Sequence, residues 1–348
     1  MVKRFFNLVV ATFLMATFIL PTRALAQSAD GINLQISPLP IELTTKPGTS
    51  ASADLRVRNG GSKAEKLQIR LLKVSQDNEG SVHLSTPGAN DEFVNWVTFS
   101  KAVFDAPAGQ WQTIHMTVNV PKSAAYGYYF AVEYLRASEE APQAGKAVAK
   151  GAVATFVLLN ADAPGAKREA QLDSFRSDKK SYEFLPVDFT VKLRSTGNVH
   201  VAPHGNIFIT KGGKQVGAIA VNADEGKVLP GSSRFFASSW QDGFPAYASK
   251  TDSNDKLVVD KNGKATKKLR WDLNRANRLR FGHYTAHLVM VYDNGERDVP
   301  MEATLSFWVV PWRILIGLLL VGIFVAIGLW STFQKSAGFI KRRRKGKV

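Results

Sequence analysis

The sequence predicts an all-β protein: two tandem immunoglobulin-like antiparallel β-sandwiches followed by one transmembrane α-helix. Three observations carry that prediction. Apolar and polar residues alternate strictly in short runs such as Ala51–Asn59 and Trp111–Val120. Turn-forming clusters of Gly, Pro, Asn and Asp separate the runs. One apolar stretch near the C-terminus is long enough to cross a bilayer. Period-two alternation marks strands with one face on a core and one toward water. Roughly seven short strands per unit with frequent turns indicate a sandwich of immunoglobulin size.

Residues 1–26 read as a secretory signal peptide. Lys3 and Arg4 precede an apolar run from Phe5 to Leu20, Pro21 ends it, and Ala24-Leu25-Ala26 supplies a small-residue cleavage site. The absence of any cysteine excludes a lipoprotein anchor. An uncleaved first membrane helix is the rival reading, and it exports residues 27–310 as well.

Residues 27–162 form the expected distal sandwich. Besides the two alternating runs, strands are expected over Leu67–Val74, Phe93–Phe99, Tyr128–Arg136 and Ala152–Asn160. Lys46-Pro47-Gly48, Asn59-Gly60-Gly61 and Pro107-Ala108-Gly109 punctuate them. A small, polar linker around 161–167 leads to the membrane-proximal sandwich, 168–310. Its strands are expected over Leu172–Arg176, Pro186–Arg194, Gly205–Thr210, Gln215–Val221, Ser233–Trp240, His283–Tyr292 and Met301–Val310. A lysine- and asparagine-rich segment from Ala246 to Lys268 interrupts them, either as a hairpin excursion or as a mobile insertion.

Residues 311–334 are expected to span the membrane. Ile314–Trp330 contains no charged side chain, and a hydrocarbon core of roughly 30 Å asks for about 20 helical residues. Trp308, Trp312 and Trp330 fall where interfacial aromatic belts belong. In the tail, 335–348, the basic cluster beginning Lys341, Arg342, Arg343, Arg344 stays cytoplasmic. The expected topology is a single pass through a bacterial cell membrane, with the N-terminal region at the cell surface or in the periplasm.

Composition narrows the partners. The chain carries a formal +16, of which the tail and the signal peptide hold ten charges, leaving +6 for residues 27–334. No dense basic cluster stands out there, so a nucleic-acid partner gains no support. The lack of cysteine removes thiol catalysis, cysteine metal sites and disulfides.

Chemistry-bearing motifs are absent. There is no G-x-S-x-G, no H-E-x-x-H and no phosphate-binding G-x-x-x-x-G-K-[ST]. His283 and His287 share one face of a strand but lie about 13 Å apart, too far for one metal ion. His200 and His204 sit in a proline-containing loop and are able to approach each other, yet zinc needs three or four ligands. The adjacent carboxylates Asp91-Glu92 and Glu139-Glu140 suit glycosidase chemistry only if the fold brings further partners. No enzyme activity, cofactor or metal is expected. Tyr126, Tyr128, Tyr129, Phe130 and Tyr134 place several rings along one strand, near Trp96 and Trp111 if the sandwich closes. They serve as core first and as a binding platform second. In the membrane span, Gly322 and Ala326 form a small-xxx-small pair.

Ile36-Ser37-Pro38-Leu39-Pro40-Ile41-Glu42-Leu43-Thr44-Thr45-Lys46-Pro47-Gly48, the strand Ala53–Asn59 and Val120-Pro121-Lys122-Ser123-Ala124-Ala125-Tyr126-Gly127-Tyr128-Tyr129 carry a family resemblance. They resemble the first domain of bacterial surface proteins in the WxL-interacting family, and related patterns occur in periplasmic pilus chaperones. Gly197-Asn198-Val199-His200, Val228-Leu229-Pro230-Gly231 and Phe307–Arg313 resemble that family's membrane-proximal half. The resemblance implies a non-enzymatic surface protein, one domain contacting peptidoglycan and the other a partner protein. It transfers no ligand residue to this chain, and the membrane anchor argues against a soluble pilus-chaperone role. The expectation is a membrane-anchored adhesion or scaffolding protein that binds cell-wall polymer or another envelope protein, with the distal loops 76–90 and 138–150 as contact surface. The alternatives are an accessory subunit of an envelope or secretion complex and, more remotely, an envelope hydrolase.

Overall fold

A computed structural model describes residues 32–345 except 78, 138–151, 253–255, 262 and 264, with the side chains of 331 and 333–345 also outside the description. The loop 138–150 and the carboxylates Glu139 and Glu140 therefore lie outside the described residues. So do the side chains of Lys341, Arg342, Arg343 and Arg344.

The first sandwich contains β1 (Leu34–Ser37), β2 (Ile41–Thr45), β3 (Ser50–Asn59), β4 (Glu65–Gln76), β5 (Val82–Ser85), β6 (Val97–Phe99), β7 (Val103–Ala106), β8 (Trp111–Asn119), β9 (Tyr126–Arg136) and β10 (Val153–Ala161). One sheet has the order β1-β3-β8-β6 and the other β2-β10-β9-β4-β5, with β7 extending the pairing of β4. All pairs described in this sandwich are antiparallel except β2 with β10, where Leu43 opposes Leu159. The chain crosses from one sheet to the other between Ser37 and Ile41, where both Ser37-Pro38 and Leu39-Pro40 are cis. Alternation does what it predicts: Leu55, Val57, Ile114, Met116, Phe130, Tyr134 and Leu159 point inward and are buried. The segment Phe93–Phe99 differs from expectation. Glu92–Asn95 is a short helical turn, and only Val97–Phe99 is strand. The turn lets Phe93 stack on Phe130 at 5.1 Å while Trp96 meets Tyr128 edge-on at 4.6 Å. Trp111 lies away from this cluster, exposed beneath Arg56.

The second sandwich contains β11 (Ala170–Ser177), β12 (Ser181–Tyr182), β13 (Val187–Ser195), β14 (His204–Lys211), β15 (Lys214–Val221), β16 (Ser233–Trp240), β19 (Gly282–Asp293) and β20 (Asp298–Val309). Its sheets are β11-β13-β16 and β12-β20-β19-β14-β15. Phe307 centres the core end nearest the helix, within 5.7–6.1 Å of Tyr182, Phe189, Trp240 and Tyr284. Gly205 is required by close approach, since a β-carbon there would stand 2.2 Å from the Val289 carbonyl oxygen on β19. The Ala246–Lys268 segment resolves as a hairpin excursion: β17 (Ala246–Ser249) pairs with β18 (Lys267–Arg270).

Helix α1 (Trp312–Lys345) leaves directly from β20. Pro311 accepts from Leu315 N–H at 3.1 Å and starts the helix, a position where its missing N–H costs nothing. Arg313 reaches back to Glu183 at 3.3 Å, tying the first turn to the sandwich. Trp312–Trp330 is a 19-residue stretch, apolar but for Arg313, and none of it is buried by the rest of the protein. The helix continues beyond the expected span, through the basic tail residues.

Candidate functional site

Polar contacts join the two sandwiches, and three sets of them frame the cleft in between. In the first, Tyr129 on the outer face of β9 accepts from the His200 backbone N–H at 2.9 Å, and its ring meets the imidazole edge-on at 5.7 Å. In the second, Gln76 at the end of β4 accepts from Ser232 Oγ at 2.8 Å and from Leu229 N–H at 3.2 Å. In the third, Lys227 pairs with Glu42 on β2 at 3.0 Å.

The linker is fixed just as locally. The Asn198 side chain donates to the Gly165 carbonyl at 3.0 Å and accepts from Lys167 N–H at 2.7 Å. Gly197 is obligatory here, because a β-carbon would stand 2.1 Å from the Lys167 carbonyl oxygen. The Gly197-to-His200 stretch thus docks one sandwich on the other.

Between these contacts lies a cavity of about 540 Å³. Its floor is the outer face of the β2-β10-β9-β4-β5 sheet, with Phe156 and Leu158 on β10 and Val74 on β4. Leu39 and Val82 stand exposed at the rim on the first-sandwich side. The 224–234 segment of the second sandwich forms the opposite wall, presenting Asp224, Glu225, Lys227 and Arg234. Arg234 is held by the Lys227 carbonyl at 2.8 Å, and burial pulls its pKa down.

A second, more polar cavity of about 500 Å³ shares Glu42, Leu158, Glu225 and Lys227 with the first and adds Thr44, Asn160, Arg168, His200 and His204. Asn160 is buried, and neither its amide oxygen nor its nitrogen has a hydrogen-bond partner among the described residues. Buried amides in folded proteins are almost always paired. His200 is mostly buried too, and that burial is the chief reason its pKa falls to about 4. For Tyr129, burial pushes the phenol pKa up.

The sequence-predicted groups scatter around this cleft. His200 and His204 do line one cavity, but no set of three metal-ligating side chains comes together among the described residues. His283 packs on Trp308 at 5.0 Å, and His287 meets Thr304 at 3.2 Å. Asp91 is occupied by Lys73 at 2.7 Å, whose hydrogen bond keeps the carboxyl pKa low. The aromatic strand divides: Phe130 and Tyr134 fill the core, whereas Tyr129 faces the second sandwich. Part of the 76–90 loop is itself a domain contact, since a β-carbon on Gly80 would stand 3.0 Å from the Arg234 backbone. Trp308, Trp312 and Trp330 are all exposed, at the two ends of the apolar stretch. Sequence reading missed Phe156, Leu158 and Asn160, although their alternation with Val157 and Leu159 made β10 apolar on both faces. A strand apolar on both faces needs cover on both.

No family model matches the chain, and no curated protein matches it. Solved structures similar to it include the class 5 fimbriae chaperone CfaA (14% identity, TM-score 0.36, covering 78% of this chain and 98% of that one). The YadV chaperone aligns at 12% identity and TM-score 0.33, over 79% of this chain and all of its own. A chaperone–tip adhesion subunit complex from the Csu pili of Acinetobacter baumannii aligns at 14% and 0.33, over 59% of this chain and 89% of that one. Nothing about ligand or partner passes across so loose a likeness.

Proposed function

We propose that this is a non-enzymatic, membrane-anchored envelope protein that captures an extended segment of a partner protein in the cleft between its sandwiches. The observation that carries the reading is Asn160, a buried amide with both polar atoms unsatisfied, beside an apolar floor of Phe156 and Leu158. A peptide backbone that enters as the sandwiches part supplies the donor and acceptor that Asn160, buried at the junction, lacks, while its side chains cover the apolar floor. Strand β2 borders the same space and, among the described residues, pairs on one side only, with β10. Its outer edge is a template for main-chain hydrogen bonds of the strand-addition kind. The helix α1 anchors the chain, with Trp308, Trp312 and Trp330 at the interfaces and Lys341, Arg342, Arg343 and Arg344 on the cytoplasmic side.

The expected partner is another envelope protein, as in a WxL-interacting-type surface assembly, and peptidoglycan contact is the second reading. Purified full-length protein incubated with cell-wall polymer and with solubilised envelope proteins separates them. Leu39→Asp and Val82→Asp change only exposed rim positions and should abolish protein capture without unfolding the chain. Retention by polymer alone, unchanged in these variants, would overturn the cleft reading.

A further inference from the structure

We infer that the 241–282 excursion is a second membrane contact: a basic, aromatic foot that rests on anionic phospholipid headgroups beside the anchor. The inference rests on α1 being embedded in a bilayer.

Strand pairing sets the position. Gly282, which closes the excursion, opposes Val309, three residues before α1 begins. Strand β16, which leads into the excursion, ends at Trp240, whose ring lies 6.1 Å from Phe307 on β20. The excursion therefore leaves and returns at the end of the sandwich from which the membrane helix emerges.

Its surface is unlike the rest of the domain. Trp271 and Leu273 are 57% and 76% exposed, and Leu279 and Phe281 are exposed beside them. Large apolar side chains clustered on a monomer's surface mark an interaction site. Between Gln241 and Gly282 stand ten basic and five acidic residues, a net +5. That is nearly the whole +6 of residues 27–334, so the charge that looks dispersed along the sequence is concentrated here. Asp242 ties the foot together by pairing with Arg275, Arg278 and Arg280. Trp271 leans on Phe244 at 5.7 Å. The result is a braced segment that carries exposed apolar side chains and cationic side chains together, the pattern of interfacial membrane binding. A polyanion such as a wall polymer satisfies the charge but leaves the apolar side chains uncovered, so a lipid surface fits better.

The chain has no cysteine, so single labels are unambiguous. Full-length Leu273→Cys, Leu320→Cys and Ser52→Cys, each carrying an environment-sensitive fluorophore, are reconstituted in phosphatidylcholine vesicles with or without phosphatidylglycerol and with nitroxide-labelled lipid. The Leu320 probe should be quenched in both vesicles and the Ser52 probe in neither. The Leu273 probe should be quenched about twofold or more, as for an interfacial contact, and only where phosphatidylglycerol is present. Lys268→Glu with Arg270→Glu should relieve quenching at Leu273 and leave Leu320 unchanged. A Leu273 probe that behaves like Ser52 while Leu320 is quenched overturns the foot and leaves the anchor standing. Loss of quenching at Leu320 as well overturns both.

Discussion

Protonating His200 should loosen the junction that shapes the cleft. Burial lowers its pKa from 6.5 to about 4; Glu42 pulls the other way, while Lys227 and Arg168 add to the depression. Once the sandwiches separate or unfold, the imidazole regains its ordinary value. Between the two pKa values the open state then binds more protons than the docked one, so docking weakens as pH falls. The contribution is whole above pH 6.5 and is lost progressively toward the docked-state value. At about 1.4 kcal/mol per pH unit, the gap sets a ceiling of about 3 kcal/mol, reduced somewhat because part of the ring meets solvent. The assay is denaturant unfolding of the reconstituted chain, with paired labels, one on each sandwich, reporting their separation. Wild type should lose stability and widen between about pH 7 and about pH 4.5, and His200→Gln should lose most of that dependence. Parallel pH curves for the two proteins would refute the reasoning.

Further outcomes follow from single contacts. Tyr129→Phe leaves the His200 N–H without its acceptor and should cost about 1–3 kcal/mol, read by the same denaturation assay. Gly205→Ala forces a methyl group against the β19 backbone and should destabilise by about 3 kcal/mol, at the upper end of overpacking costs. Phe307→Ala empties the centre of the second core and should cost about 3–5 kcal/mol in thermal or chemical unfolding. Asp242→Asn leaves three arginines facing one another without their shared carboxylate and should raise protease sensitivity in the 241–282 excursion while sparing the first sandwich.

The sheets were legible in the sequence where one face meets solvent. Ala51–Asn59 and Trp111–Val120 alternate cleanly, and they became β3 and β8 within a residue at either end. Short edge strands such as β1, β2, β5 and β12 escaped, because two to five residues carry too little periodicity to register. Glu92–Asn95 misled because Phe93 and Val94 favour strands, while packing against Phe130 selected a helical turn. The cleft was not legible. Asn160 is an ordinary residue at a strand end until the second sandwich covers it, and Tyr129 becomes a junction residue only when His200 arrives from 71 positions away. The basic foot was hidden for a similar reason: its lysines and arginines are spread over residues 250–280, and part of that stretch is gathered only by the β17–β18 pairing and by Asp242, which holds Arg275, Arg278 and Arg280.

The most direct test of the account is site-specific photocrosslinking of the full-length protein in its own membranes. A benzophenone side chain replaces Phe156 on the cleft floor or Trp111 on the far sheet. A discrete protein adduct from the Phe156 position alone, lost with Leu39→Asp and Val82→Asp, is the predicted result. Equal labelling from both positions, or labelling indifferent to the rim substitutions, would contradict partner capture in the cleft.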